Sequence, residues 1–275
     1  MTPTSRSPKQ PGWPVDQAHG LRQMFPSRVL RFVPVVSNPQ VIFGGVVLER
    51  LCAAYAGFGM KTLVVDAGER ARPPSELASF DLSEGIEALS SHVSYLPAKG
   101  LPLRHVDAQG SSATLIDTLA NAAPQVDVVI LHASASELVR VLAQRARGHN
   151  LRPLVFTDEN PAGMTHAYAA VKVMAQRAQW MAYDLLVCGN PESRMAAQIA
   201  HRMEQCADSF LGAAQRDWQQ INPMEPATQD PSPAFLDMAA DLLRCALPHT
   251  LGESAFDHLV SPGAALPSRS TPVFN

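Results

Sequence analysis

From Arg28 to Arg216, short runs of consecutive apolar, β-branched-rich residues alternate with stretches of helical period. That alternation restricts the fold more than any other feature of the chain. A strand that is apolar throughout, rather than at every second residue, is covered on both faces, and the covers are the intervening helices. The strands are predicted at Arg28–Val36, Thr62–Asp66, Val93–Pro97, Asp127–His132, Pro153–Thr157, Asp184–Cys188 and Phe210–Arg216. The helices between them are predicted at Val46–Phe58, Ser112–Ala123, Ser136–Arg147, Met164–Met181 and Ser193–Ala207, with a last one at Pro233–Leu247. The fold class that follows is α/β: three layers around a mostly parallel twisted sheet, spanning 28–247. Prolines and small polar residues dominate 1–14 and return in 248–275, which predicts a disordered leader and a mostly disordered tail.

Composition excludes several function classes. The net charge of −3 argues against a non-specific nucleic-acid binder, which is normally basic. The four cysteines, Cys52, Cys188, Cys206 and Cys245, have no CxxC spacing and the histidines no HxxxH spacing, so neither a zinc site nor a disulfide scaffold is indicated. The N-terminus lacks the apolar run of a signal peptide, and no apolar stretch is long enough to span a bilayer. The expected location is cytoplasmic. Phe235–Leu247 is apolar but nearly free of basic residues, so it reads as core rather than as a lipid-binding helix. Glu137, Arg140, Arg145, Arg147 and His149 read as solvated helix faces.

In a fold of this class ligands bind where loops leave the carboxyl ends of the strands. A phosphate-binding turn there needs small residues, a lysine and a Ser or Thr for magnesium. The first strand–helix turn reads VVSNPQVIFGGVVLERL and has none of the charged parts. Pro39 lacks an N–H, and Val41, Ile42 and Phe43 are bulky. Gly44 and Gly45 are either the remnant of a phosphate nest or a tight helix entry. Asp66, at the end of the second strand, either holds magnesium or caps the next segment. These three are the candidate vestigial nucleotide-binding residues. No catalytic or metal-binding residue is identified.

Residues 30–247 resemble the MinD/ParA-type P-loop ATPases, and among them the FlhG (FleN) family that regulates flagellar number. The family runs VxxGKGGVGKT, a helix, then LLxDAD. Aligned back from Asp66, its first lysine falls on Pro39, its P-loop lysine on Gly44, its Thr on Gly45 and its second switch acid on Gly68. Its later strand Asp falls on His132. The stretch PLVFTDENPAGMTHAYAAVK (153–172) resembles the family's strand and EPTSxTDAYALIK helix, whereas Arg216-Asp217-Trp218 departs from its Pro-Tyr-Asp ending. The resemblance implies the fold and a pseudo-ATPase. Phosphoryl transfer rests on positioning and electrostatics, and the residues for both are replaced. The expected cofactor is none, the alternative being ATP with magnesium bound through a non-standard loop and driving dimerisation.

Ahead of the domain, Asp16-Gln17-Ala18-His19-Gly20-Leu21-Arg22 matches the DQAxxLR motif of FlhG proteins, the element that stimulates the GTPase FlhF. Independently of that resemblance, Asp16 is a good N-cap, and Pro14 and Pro26 bracket the segment 15–27. Ala18, Leu21 and Phe25 form one helical stripe. The segment is about three turns long and contains Gly20, so it is marginal alone and folds on a surface. That surface is either a partner's groove or its own domain. The predicted partner-binding residues are Asp16, Gln17, Ala18, Gly20, Leu21, Arg22 and Phe25. The resemblance implies an FlhF-type GTPase as partner, with flagellar basal-body or master-regulator proteins as further candidates. It implies recruitment to the cell pole or inner membrane face through that partner, without membrane insertion or nucleic acid.

Overall fold

The computed structural model describes residues 28–226 and 228–250, which fall almost wholly within one unit, Val29–His249. The chain runs β1 (Val29–Val36), α1 (Gly44–Gly57), β2 (Thr62–Asp66), two short 3-10 turns, β3 (Glu87–Ala88), β4 (Val93–Pro97), α2 (Leu101–Arg104) and α3 (Thr114–Ala122). It continues through β5 (Val128–Ala133), α4 (Ala135–Leu142), β6 (Leu154–Asp158), α5 (Pro161–Ala178), β7 (Ala182–Cys188), α6 (Met195–Leu211), β8 (Ala214–Ile221), α7 (Pro233–Arg244) and β9 (Leu247–Thr250). The strands form one sheet in the order β3-β4-β2-β5-β1-β6-β7-β8, with β9 pairing β1 off that path. Along that path six strand pairs are parallel, and β3 is antiparallel to its neighbour β4. The expected three-layer α/β architecture is therefore present.

Continuous apolarity translates directly into burial. Every residue of β5 is buried, as are Leu30, Phe32, Val33 and Val35 of β1. On one face α1 and α7 pack together. Phe235, Met238, Ala239, Leu242 and Leu243 of α7 recur at helical spacing and join Val47, Leu51, Ala54 and Tyr55 of α1 in one core cluster. Burying side chains of this size contributes about 1.5–3 kcal/mol each, so α7 is core, as its lack of basic residues predicts. Ser232 Oγ accepts from the Phe235 N–H at 3.2 Å and Pro233 occupies the first turn, which fixes where α7 starts. Arg50 of α1 is buried, and its guanidinium donates to the Gln229, Pro226 and Glu225 carbonyls. It thereby lashes the segment after β8 onto α1.

Several boundaries differ from the sequence expectation, and three of the differences have a plain cause. The strand expected from Phe210 begins at Ala214 because α6 runs on to Leu211 and Gly212 closes it with φ 65°. The helix expected to Arg147 ends at Leu142, and the chain continues in hydrogen-bonded turns as far as Gly148. The last helix stops at Arg244, and Leu247 opens β9, whose partner β1 is distant in sequence. Pro34 lies in central β1, in register with Leu131. A parallel strand bonds to each neighbour through alternate residues, so the prolyl nitrogen removes a single ladder bond.

The buried carboxylate of the sheet has partners. Asp184 of β7 is fully buried; Arg152 Nε lies 2.7 Å from Oδ2, and the Asp217 N–H donates to Oδ1 at 3.1 Å. Burial raises its carboxyl to about 6 and the Asp217 charge adds to that, while Arg152 opposes it. A carboxyl raised in the folded state binds more protons folded than unfolded between roughly 4 and the folded value. Across that window its contribution to stability falls as pH rises. Urea unfolding of Asp184→Asn, followed over that pH range, is expected to show a flatter dependence than the unsubstituted protein.

Candidate functional site

Strand register assembles the site. Asp66 stands opposite His132, and His132 opposite Val35, so β2, β5 and β1 end side by side. His132 Nδ1 lies 2.7 Å from Asp66 Oδ1. The Gly68 N–H also donates to Oδ1, at 3.1 Å, and the Tyr95 hydroxyl donates to Oδ2 at 3.0 Å. Burial works to raise the Asp66 carboxyl. The hydrogen bond and charge of His132, with the Gly68 and Tyr95 donors, outweigh it and hold the carboxyl below the ordinary value. Tyr95, half-buried and facing that carboxylate, is pushed up to about 12 and stays a donor. An ionised carboxylate only accepts, so Nδ1 of His132 carries the proton. In the neutral ring Nε2 is then a proton acceptor. It is buried, and no group among the described residues bonds it. Gly68 makes the pair possible, since a Cβ there would lie 2.8 Å from His132 Cε1.

Beside this pair is a cleft of about 210 Å³, lined by the loop after β1, the start of α1, the loop after β2, His132 and Phe156. Its walls are tied down by side chains. Ser37 Oγ donates to Glu69 Oε2 at 2.7 Å. Arg70 donates to the Pro39 carbonyl at 2.5 Å and to that of Val41 at 3.3 Å. Buried Asn38 donates to the Phe156 and Gly163 carbonyls at 2.9 and 3.0 Å, joining the loop to β6 and α5.

Gly44, Gly45 and Asp66, the three residues singled out in the sequence, all line this cleft. Gly44 has a packing reason: a Cβ there would come within 3.2 Å of the Phe156 ring, whereas a Cβ on Gly45 would meet nothing. Asp66 makes the capping bond to the Gly68 N–H, and both its oxygens are engaged. The α1 N-terminus has no side-chain cap, so its first-turn N–H groups are the donors available to an anion. Asp66 and Glu69 are the carboxylates that line the cleft, and no cluster of three or more His, Cys, Asp or Glu residues forms a metal site among the described residues. Asp16, Gln17, Ala18, Gly20, Leu21, Arg22 and Phe25 lie outside the described residues. Sequence reasoning missed Ser37, Asn38, Glu69, Arg70 and Tyr95. Their partners lie on other strands and loops, so nothing local marks them. His132 was visible as a substitution but not as the partner of Asp66.

No family model matches the chain, and no curated protein matches it. Among solved structures it is similar to the MinD cell division protein of Aquifex aeolicus, at 12% identity over 78% of this chain and 97% of that one, with a TM-score of 0.49. It is similar to a plasmid partition protein of Borrelia burgdorferi bound to AMPPNP, at 9% identity over 78% and 97%, with a TM-score of 0.49. It is also similar to cobyrinic acid a,c-diamide synthase of Mycobacterium smegmatis with a bound ATP analogue and magnesium, at 16% identity over 70% and 72%, with a TM-score of 0.34. The expectation that the cofactor is none is corrected here. Proteins similar to this chain hold AMPPNP, or an ATP analogue with magnesium.

Asp66→Asn leaves the His132 Nδ1–H facing an amide in place of a carboxylate, and it is expected to cost about 1–3 kcal/mol at neutral pH. A carboxyl held low in the folded state contributes its stability above the unfolded value and loses it as pH falls through the folded one. Chemical denaturation should accordingly show the difference between the two proteins shrinking in acid.

Proposed function

We propose that this chain regulates flagellar number or placement by binding and stimulating an FlhF-type, SRP-like GTPase through Asp16–Arg22. The observation that carries this reading is the DQAHGLR segment standing directly ahead of an α/β domain. A short segment of amphipathic helical period between two prolines is the kind of sequence that orders on a partner's groove, and its polar residues Asp16, Gln17 and Arg22 are those able to reach a neighbouring nucleotide. In this reading the α/β domain does not turn over ATP. The cleft lining contains no lysine, and its arginine, Arg70, is held by two backbone carbonyls. A group already committed to carbonyls is not free to neutralise charge developing on a phosphoryl group. The domain carries and localises the DQAHGLR segment.

The test is GTP turnover by the cognate FlhF-type GTPase, with and without a peptide covering Gly12–Arg28, and with the same peptide carrying Asp16→Ala and Gln17→Ala. Stimulation of several-fold is expected from the first peptide and none from the second. The full-length protein, run with and without ATP and magnesium, is expected to stimulate in both conditions. Absence of stimulation by peptide and by full-length protein would remove the reading.

A further inference from the structure

A larger groove, of about 680 Å³, runs along α4 and the turns after it to the end of α5, and it shares no lining residue with the cleft. Sequence periodicity puts Arg140 and Arg147 on one solvated helix. In the folded chain α4 ends at Leu142, so a turn carries Arg147, and α5 brings in Arg177 from another part of the sequence. Arg140, Arg147 and Arg177 all line the groove, and no carboxylate does.

Among the described residues no side chain pairs with these arginines, and the nearby carboxylates in sequence are occupied. Glu137 closes the capping box of α4 with Ser134. Asp117 pairs with Arg145, which does not line the groove. Asp107 accepts from the N–H groups of Gln109 and Ser111. α5 contains no acidic residue. At the end of α5 the Gln179 and Trp180 N–H groups bond the Ala175 and Met174 carbonyls, which leaves Arg177 in the last turn beside the groove. Three uncompensated like charges around one concavity, on a chain of net charge −3, form a complementary surface for an anion.

Two observations identify the kind of anion. Gln109, Gln144, Gln176 and Gln179 also line the groove, and each side-chain amide can both donate to and accept from a peptide backbone. The lining contains no aromatic residue, whereas single-stranded nucleic acids are held by stacking on such residues as well as by charge. We infer that the groove docks an acidic segment of a protein partner. Its carboxylates pair with Arg140, Arg147 and Arg177, and its backbone bonds to the glutamine amides.

Fluorescence anisotropy with the full-length protein and a labelled peptide of alternating Glu and Ala tests this. Binding is expected to weaken as salt rises and to drop about tenfold or more in the Arg140→Ala, Arg147→Ala, Arg177→Ala triple variant. Arg145→Ala should bind as the unsubstituted protein does, and a peptide of alternating Lys and Ala should not bind. If the triple variant loses its fold by circular dichroism, Gln176→Glu with Gln179→Glu, which reverses the local charge and keeps the arginines, must weaken binding instead. Failure of the unsubstituted protein to bind the acidic peptide would overturn the inference. So would equal binding by the charge variants, or displacement of the peptide by a lower concentration of oligothymidylate.

Discussion

The sheet is buried on both faces, and that single constraint organises the rest of the molecule. From Phe32 onward in β1, and throughout β5, residues have no solvent side to turn towards, so neither face of the middle of the sheet can carry function. Polar chemistry is displaced to the strand ends, where the loops leave. Because β2, β5 and β1 are parallel and in register, their ends coincide. Asp66 and His132, which lie far apart in sequence, therefore face each other at 2.7 Å.

The same constraint governs what a polar side chain must do once it is near the core. An isolated buried charge is too costly to keep, so each finds a counterpart or changes its protonation. Asp66 and Asp184 show the two outcomes. Asp66 collects His132, a backbone N–H and a hydroxyl, and its carboxyl is held low. Asp184 has Arg152 but is more deeply buried and feels Asp217, and its carboxyl is pushed up. Arg50 is a third case: a buried cation distributed over backbone carbonyls of the segment after β8. The charged groups that remain unmatched, such as the arginines of the α4–α5 groove, stand at the surface, where solvent bears the cost.

Much of the architecture was legible in the order of residues. β2 and β4 have the bounds that their apolar runs predict, and α7 buries the stripe that its spacing predicts. The errors fall where a local pattern is ambiguous. Phe210 reads as the start of a strand, yet it is an exposed residue in the last turn of α6, because the true break is Gly212. β3 and β9 escaped notice because each is short and exists only through pairing with a distant strand. In the cleft, glycines before a helix and an acid at a strand end could be picked out, since both are local signatures. The bonds from Ser37 to Glu69, from Arg70 to Pro39 and from Tyr95 to Asp66 could not, since each joins two loops or strands.

The sequence alone determined that this chain builds a helix-covered parallel sheet, because the periodicity of apolar residues fixes which surfaces must leave water. It also determined that the turn after β1 lacks the lysine of a phosphoryl-transfer site, which is a matter of composition. Only the tertiary structure decided what stands in that place. The pairing of Asp66 with His132, the close approach that requires Gly68, and the gathering of Arg140, Arg147 and Arg177 all depend on strand register and helix packing. Those are set by the burial of the whole sheet and by no single segment of the chain.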